Sequence, residues 1–223
     1  MKAFFIKYKI FIITMSIFSV GFLSISIYLL TPKKRLPVMN PSDVNPELVQ
    51  DSVQYVSKYH TIPDFKFTNQ NGQIITQKDY KGKIYVADFF FTTCQTICPI
   101  MTNNMLDVQT AFLNNNKVKL LSHTIFPEID SVSVLKKYAV EKGVVDSKWN
   151  LVTGRKEDIF YIARKSYLIM KTGKPSEMYD MVHTENLALI DTKKRIRGFY
   201  DGTDKKDVQR LIEDMKWLLE NEE

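Results

Sequence analysis

Cysteine is scarce in this chain, with two residues among 223. Two cysteines cannot build the set of disulfides that stabilises small secreted scaffolds, so a hydrophobic core must supply the stability. Glycine and proline are also few, with eight of each, whereas 44% of the residues are hydrophobic. This composition excludes collagen-like and disordered chains and predicts a globular domain large enough to bury a core. The two cysteines therefore remain available for a role other than stapling the fold.

Acidic residues are missing from the first 35 positions, and this changes the meaning of the net charge of +6. Six basic residues lie in that stretch, and the remaining 25 basic residues balance the 25 acidic ones. A neutral domain lacks the basic excess that binds phosphate backbones, so we expect no nucleic-acid partner. No phosphate-binding loop, paired carboxylates or Ser/His/Asp set can be identified, which argues against classical enzymatic turnover.

The basic excess flanks a long hydrophobic run. Residues 10–30 carry no charge, and as a helix they would span about 30 Å of hydrocarbon. A cleavable signal peptide has a shorter apolar core and a small-residue cleavage site, which fit poorly here, and no cysteine near its end allows lipid attachment. We predict a short cytoplasmic N-terminus over residues 1–9 and an uncleaved transmembrane signal anchor over 10–30. Basic residues on both flanks leave the orientation open.

The rest of the chain divides into a linker and one domain. Residues 31–61 are rich in proline, asparagine, serine and aspartate, which predicts a linker with one short helix over Val49–Tyr59. We expect the compact domain over residues 62–223.

Within this domain, strand and helix patterns alternate. Asn71-Gly72 predicts a hairpin turn, and the apolar run Lys83–Phe91 predicts a central strand followed by a cysteine loop and a helix. Later strands are expected at Val118–Phe126, Trp149–Val152, Asn186–Asp191 and Arg195–Gly202, and later helices at Val132–Glu141, Glu157–Leu168 and from Asp204 onward. This order predicts an α/β fold around a mixed sheet.

The cysteines lie at the point where the central strand gives way to a helix. Cys94 and Cys98 are four positions apart, and Pro99 suits a first helical turn. This spacing allows the two sulfurs to converge, and a helix N-terminus favours thiolates. The context favours metal binding or redox exchange over two incidental buried cysteines.

Several segments resemble the Sco/SenC family of thioredoxin-like copper proteins, which assist metallation of the CuA centre of cytochrome c oxidase. Asp88–Met105 and Tyr179–Asp191 carry most of the likeness, and Phe126–Asp130 and Trp149–Gly154 add to it. The resemblance covers about residues 62–220. It implies a thioredoxin-like fold with a central mixed sheet, an extra N-terminal β-hairpin and a histidine-bearing loop.

The resemblance also implies a ligand set. By motif, Cys94 and Cys98 match the two thiolate ligands of the family and His183 matches its histidine ligand. Two soft thiolates and an imidazole suit Cu(I), a site that also accepts Cu(II) is compatible, and Zn(II) with a bound water is an alternative. The sequence departs from the family pattern at Gln95, Phe126 and Val182.

The implied role is that of a membrane-anchored copper chaperone. It would act on the copper-binding subunit of cytochrome c oxidase, receive copper from an upstream donor protein, and contact the membrane through residues 10–30. We expect a single-pass protein of the bacterial inner membrane whose domain faces the periplasm or the cell exterior.

Two other functions remain open. A thiol-disulfide oxidoreductase could cycle Cys94 and Cys98 through a disulfide. The CxxxC spacing and the lack of a proline directly before Asn186 count against it. A non-catalytic scaffold whose thiols form a structural bond is the third alternative.

Other polar and sulfur-containing side chains are weaker candidates. His123 lies toward the end of its strand, where functional loops collect, and Asp88 could tune thiol protonation. For both, a structural role is favoured, as it is for His60, Met170, Met178, Met181 and the basic cluster Lys193–Arg197.

Overall fold

The structure of the chain is a computed structural model. It describes residues 8–30, 36–169, 171–172, 181–182 and 185–221. The chain forms two compact units, Met1–Arg35 and Leu36–Glu223. The described part of the first unit is one helix, α1 (Lys9–Leu30), which over Lys9–Ile27 is long and apolar enough to cross a membrane.

The second unit contains nine strands and four further helices within the described residues. The strands are β1 (Lys66–Asn69), β2 (Ile74–Thr76), β3 (Ile84–Phe90), β4 (Val118–Thr124), β5 (Trp149–Thr153), β6 (Lys171–Thr172), β7 (Met181–Val182), β8 (Asn186–Ile190) and β9 (Ile196–Asp201). The helices are α2 (Ile97–Ala111), α3 (Val132–Lys142), α4 (Lys156–Tyr161) and α5 (Lys205–Asn221).

Seven strands form one mixed sheet in the order β2-β1-β5-β4-β3-β8-β9. Strands β3, β4 and β5 are parallel, and the flanking strands run antiparallel to their neighbours. This confirms the expected α/β fold with a central mixed sheet and an N-terminal hairpin. The cysteines follow β3 directly, so they lie at the edge of the sheet where the parallel strands end.

Side chains alternate between the two faces of β3 because successive residues of a strand point to opposite sides. Val86 and Phe90 join the cluster beneath α2 and α5, whereas Tyr85 and Phe89 join the cluster on the other face. All seven residues of β3 are buried. This accounts for the continuous apolar run in the sequence, as expected of a strand covered on both sides.

Three local features of the fold depend on residues that are close together in the sequence. Gly72 adopts a positive φ of 73° in the β1–β2 turn, and Gly143 ends α3 with a φ of 78°. Glycine tolerates this backbone region because it has no Cβ. Asp204 accepts a hydrogen bond from the N–H of Lys206 at 2.9 Å at the start of α5, as expected of a residue that caps a helix.

The segment predicted as a linker differs from expectation. The N–H of Met39 donates to the carbonyl of Ile196 at 2.8 Å, and Arg197 donates from Nε to the carbonyl of Pro37 and from Nη2 to that of Leu36. The described part of this segment, from Leu36 onward, is thus attached to the edge strand β9. No helix spans 49–59 in it; single 3₁₀ turns occur instead at Pro41–Asp43, Pro46–Leu48 and Asp51–Val53.

The helix predicted over 157–168 is also different. Its α-helical part ends at Tyr161 and a π-helical turn continues over Ile162–Tyr167. The buried residues of this turn pack in the cluster that contains Tyr85 and Phe89 of β3.

The second unit contains its own hydrophobic core. Both buried clusters consist entirely of residues from position 36 onward. A unit with a complete core is expected to fold by itself, so Leu36–Glu223 is a suitable soluble protein for measurement.

Candidate metal centre

The two thiols meet at the start of α2. Cys94 lies in the loop before the helix, where its N–H donates to the carbonyl of Phe91 at 3.3 Å, and Cys98 lies in the first turn of the helix. The N–H of Cys98 points at Cys94 Sγ, 3.4 Å away. Neither cysteine is in a disulfide. The predicted convergence of the thiols is therefore present, although only Cys98 is helical.

The two sulfurs have different environments. Cys94 is partly exposed and Cys98 is 1% exposed. Burial raises the pKa of the Cys98 thiol well above its usual range, and its hydrogen bond to Cys94 raises it further. Partial burial alone would raise the pKa of Cys94, but hydrogen bonds from Cys98 and Thr96 outweigh it and lower the pKa. Of the two, Cys94 therefore forms a thiolate more readily, whereas Cys98 holds its proton more tightly.

A buried carboxylate fixes the loop that carries Cys94. Asp130 is fully buried, and its carboxylate accepts hydrogen bonds from the N–H of Thr92 at 3.2 Å and from the hydroxyls of Thr92 and Thr124. The carboxylate therefore joins the end of β4 to the residues directly before the first cysteine. We infer that Asp130 positions Cys94. The sequence contained Asp130 within a family segment, but nothing local indicated its contact with Thr92.

Aromatic side chains line the loop beside this contact. The rings of Phe91 and Phe126 pack edge to face with their centroids 4.9 Å apart. Phe126 is the residue that departs from the family pattern, and here it contributes an apolar contact. Gln95, the second departure, is exposed. The side chain of Val182, the third, lies outside the described residues.

Asp88 is buried within β3 on the α2 side of the sheet. Its carboxylate accepts a hydrogen bond from Ser122 Oγ, which in turn accepts one from Trp149 Nε1 at 2.8 Å. Burial raises the pKa of Asp88 to about 7, although the hydrogen bond from Ser122 opposes the shift. The charge of Asp88 also raises the pKa of Cys98. The sequence-based suggestion that Asp88 influences thiol protonation stays a prediction with this electrostatic support.

This raised pKa has a measurable effect on stability. An unfolded aspartate has a pKa near 3.9, so the folded state binds the proton more tightly. The contribution of Asp88 is favourable below about pH 4 and is lost as pH rises toward 7, by up to about 4 kcal/mol. Asp88→Asn is therefore expected to gain stability relative to the wild type across this window. Urea unfolding of both proteins at a series of pH values measures the difference. A constant difference would contradict the pKa shift, and Asp107→Asn on α2 is the matched control.

The other histidine candidates have structural surroundings. His123 is fully buried among aromatic rings, with Phe89 stacked 4.8 Å away, and burial lowers its pKa to about 3. Neither ring nitrogen has a hydrogen-bond partner among the residues that the structure describes. His60 Nε2 lies 2.8 Å from the carbonyl of Ser166. Nothing described brings either histidine to the cysteines.

The third predicted ligand, His183, lies outside the described residues. So do Met170 and Met178, and of Met181 only the backbone in β7 is described. Among the described residues, no group of three or more His, Cys, Asp or Glu side chains could hold a metal ion. The cysteine pair is the described part of the predicted ligand set. Its soft sulfurs fit a soft metal such as Cu(I).

Comparison with known proteins places the chain among Sco proteins. The sequence profile of the SCO1/SenC family matches residues 53–220. A SCO1/SenC family lipoprotein from Bacillus anthracis shares 35% identity, with a TM-score of 0.63 over 72% of this chain and 95% of the other. The Bradyrhizobium japonicum ScoI structure, which has copper bound, shares 24% identity over 72% of this chain and 99% of that one; its TM-score of 0.57 supports the fold.

A third solved structure is that of BsSco, described as a member of the Sco family of cytochrome c oxidase assembly proteins and as having a disulfide switch. It shares 29% identity, with a TM-score of 0.59 over 70% of this chain and 92% of the other. These likenesses confirm the expected thioredoxin-like fold for the domain.

Proposed function

Because this chain belongs to the SCO1/SenC family, we propose that it is a copper-binding protein of cytochrome c oxidase assembly, which holds copper through Cys94, Cys98 and His183. The observation that carries the proposal is the pair of thiols at the end of the central strand, with the N–H of Cys98 directed at Cys94 Sγ. Copper is the cargo of the site and would be passed to the copper-binding subunit of the oxidase. An upstream protein would supply it.

The chemistry of the pair supports this role. A bound soft metal requires thiolates, and the lowered pKa of Cys94 makes that form easier to reach. The buried Cys98 must lose its proton as the metal binds, and the helix N-terminus favours the resulting negative charge. A third ligand from the segment around His183 would complete a low-coordinate Cu(I) site while leaving Cys94 reachable by an acceptor.

We further propose that α1 anchors the protein in the bacterial inner membrane as an uncleaved, single-pass span. Its length and apolar composition support this, as does the excess of basic residues around it. The domain would face the periplasm or the cell exterior, close to the oxidase. The proposed organisation is an N-terminus over 1–9, the span over 10–30, a connection from 31, and the copper-binding domain, whose described packing extends from Leu36.

The test of the proposed function is transfer of the metal. Leu36–Glu223 loaded with one Cu(I) is mixed anaerobically with the soluble CuA domain of an oxidase in its reduced form. We expect copper to move to the acceptor, and a variant with Cys94→Ala, which presents no reachable thiolate, to load poorly and transfer none. Retention of all copper by the wild type in the presence of excess acceptor would contradict delivery.

A thiol-disulfide oxidoreductase remains a second candidate because the two thiols differ in exposure and pKa. The Cys94 thiolate would attack a disulfide of the substrate and form a mixed disulfide with one of its sulfurs. Cys98 would then attack Cys94 Sγ and release that sulfur, leaving a reduced substrate and a Cys94–Cys98 disulfide. This reaction could keep the cysteines of the CuA site of the oxidase in the reduced form. Repeated turnover of a disulfide substrate by protein that binds no copper, with an added dithiol that reduces the Cys94–Cys98 disulfide after each cycle, would favour this function.

A further inference from the structure

The end of the sheet opposite the cysteines is basic. Strands β3, β4 and β5 all begin there, because Ile84 is paired with Val118 and Leu120 with Trp149. Seven lysines gather around the strand starts and the nearby turns. We call them the basic end: Lys81, Lys83, Lys117, Lys119, Lys148, Lys193 and Lys194.

Three of these lysines lie close enough to repel one another. Burial lowers the pKa of Lys119, and the charge of Lys83 lowers it further. Burial likewise lowers the pKa of Lys148, followed by the charges of Lys119 and Lys83. Repulsion of this kind indicates a concentrated positive field at the surface.

These ammonium groups are held by carbonyls. Lys83 Nζ donates to the carbonyl of Asn116 at 2.9 Å, Lys119 Nζ donates to that of Ser147 at 2.5 Å, and Lys148 Nζ donates to that of Asn115. In the described part of the chain, none of the three is in a salt bridge. Their charges are therefore not neutralised by carboxylates of the described residues, although Lys148 itself is only 4% exposed.

The basic end extends to the β8–β9 turn. Lys81 and Lys117 line an open cavity of about 420 Å³ with Thr192. Lys193 and Lys194 line a neighbouring one with Lys81.

Few described acidic groups act on this surface. Asp64 lies 3.5 Å from Lys194, the charge of Asp79 raises the pKa of Lys119, and Glu220 lies at the end of α5. Asp191 is buried and paired with Arg195 and Arg197. The positive charges outnumber them, even though the domain as a whole is neutral.

The chain enters the domain at the same end. Arg197 joins the carbonyls of Leu36 and Pro37 to Asp191, which follows β8. Only five residues separate Leu36 from the last residue of the apolar helix α1. Fully extended, such a connection reaches about 20 Å. If α1 spans a membrane, the basic surface at this entry point is therefore close enough to reach that membrane.

We propose that the basic end binds the anionic headgroups of the bilayer that α1 spans. This inference rests on the proposed membrane anchor but not on copper binding. Lysines spread over three strands and a turn match the distributed charge of a lipid surface better than a single small anion, and each lysine near such a surface strengthens binding about fivefold. The thiols at the other end of the sheet, roughly 25 Å away by the length of β3, would then face away from the membrane.

The test uses soluble Leu36–Glu223 with sedimented vesicles. We expect binding to phosphatidylcholine vesicles that contain about 30 mol% phosphatidylglycerol and none to pure phosphatidylcholine. Raising the salt from about 0.05 M to about 0.3 M should release most of the protein, because salt screens charges over a shorter distance. Absence of binding at low salt, or binding unaffected by salt, would overturn the proposal. Release by millimolar inorganic phosphate at constant ionic strength would also overturn it, since it would identify a small-anion site.

Matched variants locate the surface. The triple variant Lys81→Gln, Lys117→Gln and Lys193→Gln removes three exposed charges from the basic end and should weaken vesicle binding by about a hundredfold. The control triple Lys137→Gln, Lys205→Gln and Lys206→Gln removes the same charge elsewhere and should bind within about fivefold of the wild type. Equal losses in both would show a nonspecific charge effect and overturn the proposal.

Copper titration of the same proteins separates this inference from the proposed function. The first triple variant should bind copper like the wild type, and Cys94→Ala should bind vesicles like the wild type. Failure of copper binding with vesicle binding intact would refute only the proposed function.

Discussion

Cys94→Ala or Cys98→Ala is expected to weaken Cu(I) binding by about two to three orders of magnitude in Leu36–Glu223. Zinc sites with four protein ligands contribute roughly 10–16 kcal/mol, or about 2.5–4 kcal/mol for each ligand, which corresponds to a factor of about 60 to 900. The side chains of the two cysteines are hydrogen-bonded to each other, so removal of either sulfur destroys the pair that would chelate the metal. Anaerobic competition with a Cu(I) chelator of known affinity measures the loss.

The same measurement has a predicted pH dependence. Because burial raises the pKa of Cys98, this thiol is protonated across the neutral range and must release its proton when copper binds. Release of this one proton should raise the affinity for Cu(I) about tenfold for each unit of increasing pH between 6 and 8. Cys98→Ala should therefore show a shallower slope than the wild type as well as a lower affinity.

Neighbouring substitutions provide the controls. Thr93→Ala changes an exposed residue next to Cys94 and should leave the affinity within about threefold of the wild type. Cys98→Ser removes the sulfur but keeps an atom at the γ position, so it tests whether any loss for Cys98→Ala reflects the missing side chain rather than the missing ligand. Affinity within about tenfold of the wild type in both cysteine variants would contradict the assigned ligands.

Alkylation of the reduced, metal-free domain is expected to be at least about a hundredfold faster at Cys94 than at Cys98. The thiolate is the reacting species, and Cys94 combines partial exposure with a lowered pKa. Cys98 is 1% exposed and its pKa is raised. Peptide mass analysis over a time course with iodoacetamide at neutral pH measures both rates in one sample.

Unfolded protein is the internal control for this comparison. In concentrated urea the two cysteines lose their different surroundings, so their rates should become similar. Equal rates in the folded protein, or faster labelling of Cys98, would contradict the asymmetry. Confirmation would also identify Cys94 as the sulfur that first meets an acceptor protein or a substrate disulfide.

The sequence was informative where structure depends on neighbours in the chain. The strand over Ile84–Phe90, the cysteine loop and the helix from Ile97 follow from a continuous apolar run, a small-residue loop and helical spacing. Burial on both faces of one strand and capping of one helix are local requirements. These are the features that pattern reasoning captures well.

Contacts between distant positions were missed for a physical reason. Asp130 binds Thr92 across 38 positions, and Arg197 binds Leu36 across 161 positions. Neither contact has a local signal, because each depends on the order of strands in the sheet. The proline-rich composition of the segment from 36 to 61 suits a linker equally well, so only the sheet edge reveals that it packs.

The ligand set also depended on more than local pattern. The converging cysteines were predicted from spacing, whereas His183 rests on resemblance to the family alone. Its segment lies outside the described residues, so its role as a ligand stays a prediction.

Copper K-edge X-ray absorption of Leu36–Glu223 loaded with one equivalent of Cu(I) tests the proposed ligand set most directly. The wild type should show two sulfur neighbours and one imidazole nitrogen. His183→Ala should retain both sulfurs and lose the imidazole signal. Identical spectra for the two proteins, or a first shell without two sulfurs, would contradict copper binding by Cys94, Cys98 and His183.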